Sequence, residues 1–305
     1  MSWIQQWLIA SYYVSVTTWF IYAYWGQTTW GNVLTNYQYD IWANTWSAKT
    51  SLWWVMRSMG CYTIWTDKCY SAYWYNGAFT SWNNEYSQTW NSWISKTAWT
   101  SNKGDMCSAS LWLFWYCIAG SDWSTNQNTN YEYSQSWNSW ATKTASNQTS
   151  RWLWNGTNIW TDKIYQSCWF TTWVSNVTTE YSQTWNSWTS KTARTQSRYD
   201  WCFTTIKNSN FAYWNWWYNG TTNDTTNSQY SQTWNSWATK TACTTWTYAP
   251  WWTVVDTDKC AVLWWSNLWA NPWFDINLHY SEAGNSWATK QVMTWPKMNF
   301  QWTTI

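Results

Sequence analysis

Three of the four arginines in the chain recur at one place in a repeating unit. Arg57, Arg151 and Arg198 each follow a unit-closing lysine by seven or eight residues. A guanidinium offers a planar fork that grips an oxyanion through two parallel hydrogen bonds, so a recurrent arginine is a candidate anion clamp. The competing reading is inheritance, since a duplicated unit carries its residues along whether or not they act. Acid–base chemistry needs carboxyl groups beside such a clamp. Asp105 and Asp200 stand nearest the strand entries in sequence, neither with an evident partner.

The remaining reactive residue types point to structure. His279 is the only histidine and lies between Leu278 and Tyr280 in a strand-like run, where a structural role outweighs a catalytic one. The triplets Thr66-Asp67-Lys68, Thr161-Asp162-Lys163 and Thr257-Asp258-Lys259 fall at a turn between two strands, where Asp is expected to bond its own backbone. They offer too few oxygens for calcium. Eight cysteines include no Cys-x-x-Cys, so no zinc site or other metal is expected, and no cofactor is implied. Cys61/Cys69 and Cys107/Cys117 fall on inner strands and leave open cross-strand disulfides or buried thiols. Sequons at Asn147, Asn155, Asn176, Asn219 and Asn223 fit a secreted or extracellular glycoprotein, although a chain so rich in Asn and Thr generates them by chance.

Tryptophan is the largest compositional deviation, at 43 of 305 residues. Most of these indoles must pack between sheets. Those in loops, such as Trp82, Trp123, Trp173 and Trp273, cannot all be core. An exposed indole face is a platform for a sugar ring, with neighbouring Asn and Gln supplying hydrogen bonds. Charged residues make up only 10% and the formal charge is +2, which argues against a nucleic-acid partner. No run reaches the roughly 18 apolar residues of a membrane span. The N-terminal stretch lacks the basic start of a signal peptide and reads as strand.

What must position these residues is a sixfold repeat. The unit Tyr-Ser-Gln-Thr-Trp-Asn-Ser-Trp-x-x-Lys-Thr begins at Tyr86, Tyr133 (with Ser136 for Thr), Tyr181 and Tyr230, with drifted copies at Tyr39 and Tyr280. The closing lysines are Lys49, Lys96, Lys143, Lys191, Lys240 and Lys290, at spacings of 47 to 50 residues. Six such units consume nearly the whole chain, so 1–305 reads as one domain. A unit of this length fits four short strands. In the fifth unit the strands are expected at 199–206, 211–217, 228–231 and from 236, with a loop over 218–227. Sustained helical spacing is absent, and the terminal units are no more polar than the rest, which favours a closed ring over a capped stack. The expected fold is all-β, a six-bladed β-propeller of four-stranded antiparallel blades, closed by residues 3–9 or 298–303.

The sixth unit carries a family resemblance. Tyr280-Ser281-Glu282-Ala283-Gly284-Asn285-Ser286-Trp287 resembles the Asp-box, S-x-D-x-G-x-T-W, of sialidases and other BNR-repeat propellers. Gly284 and Trp287 match outright, while Ser286 and Glu282 stand for Thr and Asp. The resemblance implies a peripheral turn between strands three and four, a glycine at positive φ, and an aromatic packed beneath. The other copies depart from it: Gln88, Gln135, Gln183 and Gln232 replace the acid, and Trp90, Trp137, Trp185 and Trp234 occupy the glycine column. Tryptophan is strained at positive φ, so their turn is expected to differ. The resemblance also implies sugar-carboxylate clamping by Arg57, Arg151 and Arg198 with Asp105 and Asp200 nearby, yet the family's Phe-Arg-Ile-Pro motif is absent. Glu85, Glu132 and Glu180 fall where the family uses structural residues.

The expected function is multivalent, lectin-like carbohydrate binding without catalysis, with glycans or glycoconjugates as partners. Trp82, Trp123, Trp173, Trp273 and the three arginines are the candidate contacts. The rivals are a sialidase-type glycoside hydrolase and a protein-interaction scaffold.

Overall fold

The computed structural model describes residues 11–17, 20–25, 36–52, 60–63, 67–75, 79–99, 107–111, 113–120, 125–148, 156–159, 162–167, 176–194, 199–200, 203–205, 210–214, 217–218, 223–224, 226–243, 251–254, 259–264 and 276–290. Within them the chain is all-β and forms small antiparallel sheets. The first sheet joins β1 (Ser11–Thr17), β2 (Phe20–Trp25), β3 (Asn36–Asp40) and β4 (Thr45–Lys49) in chain order. The second holds β5 (Gly60–Thr63), β6 (Lys68–Tyr75), β7 (Phe79–Ser87) and β8 (Ser92–Lys96). The third holds β9 (Cys107–Leu111), β10 (Phe114–Ile118), β11 (Asn130–Ser134) and β12 (Ser139–Lys143). The fourth holds β13 (Gly156–Ile159), β14 (Lys163–Ser167), β15 (Thr178–Ser182) and β16 (Ser187–Lys191).

The fifth unit is more elaborate than its sequence suggests. Its first strand is split into β17 (Tyr199–Asp200) and β18 (Phe203–Thr205), followed by β19 (Phe211–Trp214), β20 (Trp217–Tyr218), β21 (Asn223–Asp224), β22 (Asn227–Ser231) and β23 (Ser236–Lys240). Strands β18, β19, β22 and β23 form the four-stranded sheet. Trp217, expected at the end of the second strand, and Tyr218, expected in the loop, form β20, which pairs with both β17 and β21 in a small three-stranded sheet. The physical reason is that Trp217 and Tyr218 are strong strand formers and Asp200 and Tyr199 offer them a free edge. The sixth sheet is β24 (Trp251–Val254), β25 (Lys259–Trp264), β26 (Ile276–Ser281) and β27 (Ser286–Thr289). First strands neighbour one another in sequence: β1 lies against β5, β5 against β9, β9 against β13, β13 against β18, β18 against β24, and β24 against β1. Segments 3–9 and 298–303 lie outside the described residues.

Alternation along the strands sets the faces that pack. The box tyrosines Tyr39, Tyr86, Tyr133, Tyr181, Tyr230 and Tyr280 are all fully buried. Each packs at a tilt against the Trp opposite it in the last strand of its sheet, at 5.0–5.2 Å between ring centroids. The second to fifth sheets each reach the next through a second tyrosine: Tyr70 meets Tyr133, Tyr116 meets Tyr181, Tyr165 meets Tyr230, and Tyr213 meets Tyr280, at 5.4–5.7 Å. Between the sixth sheet and the first, position 261 is Ala, and His279 packs edge-on against Tyr39 at 6.2 Å instead. Cys69, Cys117 and Cys243 are buried thiols that form no disulfide. The register explains it: Cys69 stands opposite Thr63, and Cys117 opposite Ser108.

A polar staple joins successive units. Asn91 adopts φ 46°, and its Oδ1 accepts from Tyr86 Oη (2.7 Å) and from the backbone N–H of Thr50 in the preceding unit (2.9 Å). Trp93 Nε1 donates to the carbonyl of the same Thr50 at 2.9 Å. The arrangement recurs with Asn138 and Trp140 on Thr97, Asn186 and Trp188 on Thr144, Asn235 and Trp237 on Thr192, and Asn285 and Trp287 on Thr241. Asn is among the few non-glycine residues that enter the left-handed region at low cost. Asn138→Gly, which keeps that φ and deletes the acceptor, is expected to lose about 1–2 kcal/mol. Asn138→Ala should lose roughly 1 kcal/mol more for the strained backbone. Urea unfolding of both variants checks this; equal losses would show that the φ carries no cost.

Candidate functional site

The box turns are where the repeat meets solvent. Each closes with a backbone bond, Asn91 N–H to Gln88 C=O at 3.3 Å, and likewise from Asn138, Asn186, Asn235 and Asn285 to the residue three before. Such four-residue hairpin loops place one residue at positive φ. That residue is the asparagine in all six copies: Asn44, Asn91, Asn138, Asn186, Asn235 and Asn285. The glycine expectation is therefore corrected. Gly284 is outside the positive-φ set, and what a Cβ there would meet first is the Ser286 hydroxyl at 2.9 Å. Tryptophan in that column is consequently unstrained. Its backbone N–H is held by the box serine, as in Trp90 to Ser87 Oγ (3.4 Å) and Trp137 to Ser134 Oγ (3.3 Å). In the first copy Asp40 takes over, accepting from the N–H of Trp42 and Ala43 at 2.9 Å.

With the backbone pinned in this way, the indoles point to water. Trp90, Trp137, Trp185 and Trp234 are 76–81% exposed, and Trp42, one position earlier in its turn, is 75% exposed. Leaving an indole in solvent forgoes about 2–3 kcal/mol of burial each time, and this exposure recurs at one fixed turn position in four units. Each turn also lies beside the first hairpin of its own sheet: Gln88 N–H donates to Asp67 C=O, Gln135 to Leu113, Gln183 to Asp162, and Gln232 to Asn210. The side chain of Asp67 accepts from Ser87 Oγ (3.4 Å) and Thr89 Oγ1 (3.2 Å), and Asp162 from Ser182 Oγ (3.2 Å) and Thr184 Oγ1 (3.1 Å). These aspartates thus anchor a turn some 20 residues away, where the sequence suggested bonding to their own backbone.

Three buried glutamates each pair with half-buried lysines of their own unit. Glu85 accepts from Tyr70 Oη and pairs with Lys96 Nζ (3.1 Å) and Lys68 Nζ (3.4 Å). Glu132 accepts from Tyr116 Oη and pairs with Lys143 (2.9 Å), and Glu180 accepts from Tyr165 Oη and pairs with Lys191 (3.1 Å). Burial, reinforced by the glutamate it bonds, pushes the hydroxyls of Tyr70, Tyr116 and Tyr165 far above the ordinary phenol range. Burial does the same for Tyr213, with Glu282 adding to it, and for Tyr133, Tyr181 and Tyr230. These glutamates are spent on structure, as their place in the box implied.

Of the contacts expected from sequence, Trp82 is on β7 and 41% exposed. Asp200 lies in β17. Trp123, Trp173, Trp273, Arg57, Arg151, Arg198 and Asp105 fall outside the described residues. The fourth arginine, Arg194, is buried, with its guanidinium 5.5 Å from the centre of the Trp237 ring. Among the described residues no group of three or more His, Cys, Asp or Glu is placed to hold a metal ion, and no helix is long and apolar enough to cross a membrane. Trp90, Trp137, Trp185 and Trp234 stand inside polar turns of the sequence. A lone aromatic inside a polar four-residue turn has no strand face to hide against. No protein-family model matches the chain, and no curated protein matches it.

Proposed function

We propose that the chain is a six-bladed β-propeller that binds glycans multivalently through the indoles of its box turns. The propeller reading is supported by the four-stranded order of six sheets and by first strands that neighbour one another from β1 round to β24 and back. The observation that carries the binding reading is the exposure of Trp90, Trp137, Trp185 and Trp234 at one turn position. A sugar ring presents C–H bonds to an indole face, and each indole is flanked in the turn by an Asn amide and a Thr or Ser hydroxyl. Several shallow, equivalent sites gain strength from simultaneous engagement by one branched or polymeric ligand.

An extracellular location suits such a role. Asn147 is exposed on a bend and open to carry a glycan of its own, whereas Asn176 commits its Nδ2 to the Arg194 carbonyl at 2.7 Å. A glycan array run beside a fluorogenic sialoside assay tests the reading. Binding to oligosaccharides without turnover is expected. The combined variant Trp90→Ala, Trp137→Ala, Trp185→Ala and Trp234→Ala should lose at least 100-fold in avidity for a polymeric glycan and unfold at an unchanged temperature. Sialoside turnover would favour a hydrolase, and silence on both would favour a scaffold whose exposed indoles anchor a protein partner.

A further inference from the structure

The six units are not equivalent at the base of the turn. The residue opening the second strand, opposite the first box position after Tyr, alternates strictly: Phe20, Lys68, Phe114, Lys163, Phe211, Lys259. The residue before it follows the same rhythm. Asp67 and Asp162 precede the lysines of the second and fourth units, while Leu113 and Asn210 precede the phenylalanines of the third and fifth. The turns bearing Trp90 and Trp185 are therefore backed by a carboxylate, and those bearing Trp137 and Trp234 are not.

Both carboxylates reach solvent, with side-chain exposures of 35% for Asp67 and 28% for Asp162. Each bonds the threonine immediately before the exposed indole. Each is also balanced by its neighbouring lysine, Asp67 with Lys68 at 3.9 Å and Asp162 with Lys163 at 3.3 Å. A carboxylate beside an aromatic platform accepts hydrogen bonds from sugar hydroxyls more strongly than a neutral group can. It also repels a ligand that carries its own carboxylate.

Resting on the glycan reading, we propose that the turns form two classes. The pair around Trp90 and Trp185 is the stronger, and its ligand is an uncharged pyranose chain. A β-linked gluco-configured ring fits the chemistry: all its ring substituents are equatorial, so each face is a patch of axial C–H for the indole. Its hydroxyls lie at the rim, where Asp67 or Asp162 can accept from them. Sialic acids and other anionic sugars are disfavoured at these turns.

The test is titration of the intact chain with cellohexaose and with 3′-sialyllactose, followed by tryptophan fluorescence and calorimetry. Cellohexaose is expected to bind at least tenfold more tightly. Trp90→Ala and Trp185→Ala should each weaken it fivefold or more, Trp137→Ala and Trp234→Ala less than twofold. Asp67→Asn with Asp162→Asn keeps the acceptors of the turn and removes the charge, and should weaken cellohexaose while narrowing the gap to the sialoside. Equal losses from all four Trp variants, or tighter binding of 3′-sialyllactose, overturn the two-class proposal and leave glycan binding standing. Absence of binding by every sugar on an array overturns both.

Discussion

Trp115→Ala is expected to destabilise the protein by about 3–5 kcal/mol, the range for emptying a large aromatic site in a packed core. Trp115 is fully buried on β10 and packs on Trp140 at 5.1 Å and Tyr133 at 6.5 Å. Its cluster includes Tyr70 from the second sheet and Trp99 from the link that follows it. The lost contacts therefore lie between sheets as well as within one, and neighbours held by their own strands cannot collapse into the space. A domain holds only about 5–15 kcal/mol in total, so this single change uses a large share. Trp115→Phe, which keeps a ring, should cost less than half as much. Guanidinium unfolding of both variants gives the measurement. A loss under 1 kcal/mol for Trp115→Ala would mean that the sheets are not held together through this cluster.

Alkali is expected to unfold the protein in a narrow interval above pH 10. Seven phenols, those of Tyr70, Tyr116, Tyr133, Tyr165, Tyr181, Tyr213 and Tyr230, have folded-state pKa values raised by burial. In the unfolded chain they titrate near 10. A raised folded-state value means the folded protein holds protons that the unfolded chain gives up. The associated stability is complete below pH 10 and falls as pH climbs toward the folded-state values. Each phenol weakens the fold by at most about 1.4 kcal/mol per pH unit. Seven together can remove on the order of 10 kcal/mol within the first unit, comparable to the whole stability of a domain. Absorbance at 295 nm, followed with far-ultraviolet dichroism, should show these phenolates forming together with loss of the sheets. Reversible ionisation of all the tyrosines near pH 10 with the fold intact would contradict the buried network.

The repeat made the strands legible before any coordinates. The runs Ala-Val-Leu-Trp-Trp from Ala261 and Phe-Asp-Ile-Asn-Leu-His-Tyr-Ser from Phe274 read as strands from local sequence, and strands stand at Lys259–Trp264 and Ile276–Ser281. The position of the turns was equally local, written in the polar stretch after each box tyrosine. The conformation of those turns was not. Family likeness pointed to Gly284 as the left-handed residue, whereas the asparagine beside it carries the positive φ because its side chain is bonded from both the Tyr280 hydroxyl and the Thr241 amide. The second of those partners is 44 residues away.

Long-range partners account for the other differences as well. Asp67 serves Ser87 and Thr89 across the sheet, and Tyr199–Asp200 recruits the 217–224 segment, neither of which any window of neighbouring residues could reveal. From sequence came the number of units, the strand-and-turn character of each, and a structural place for the box glutamates and His279. Three-dimensional packing decided which indoles are core and which face water, since Trp93 and Trp90 stand three residues apart in one box, one 4% exposed and the other 77%. The reason is geometric: a strand residue takes the face its register assigns, while a turn residue takes the direction left over once its backbone has been pinned by partners distant in the chain.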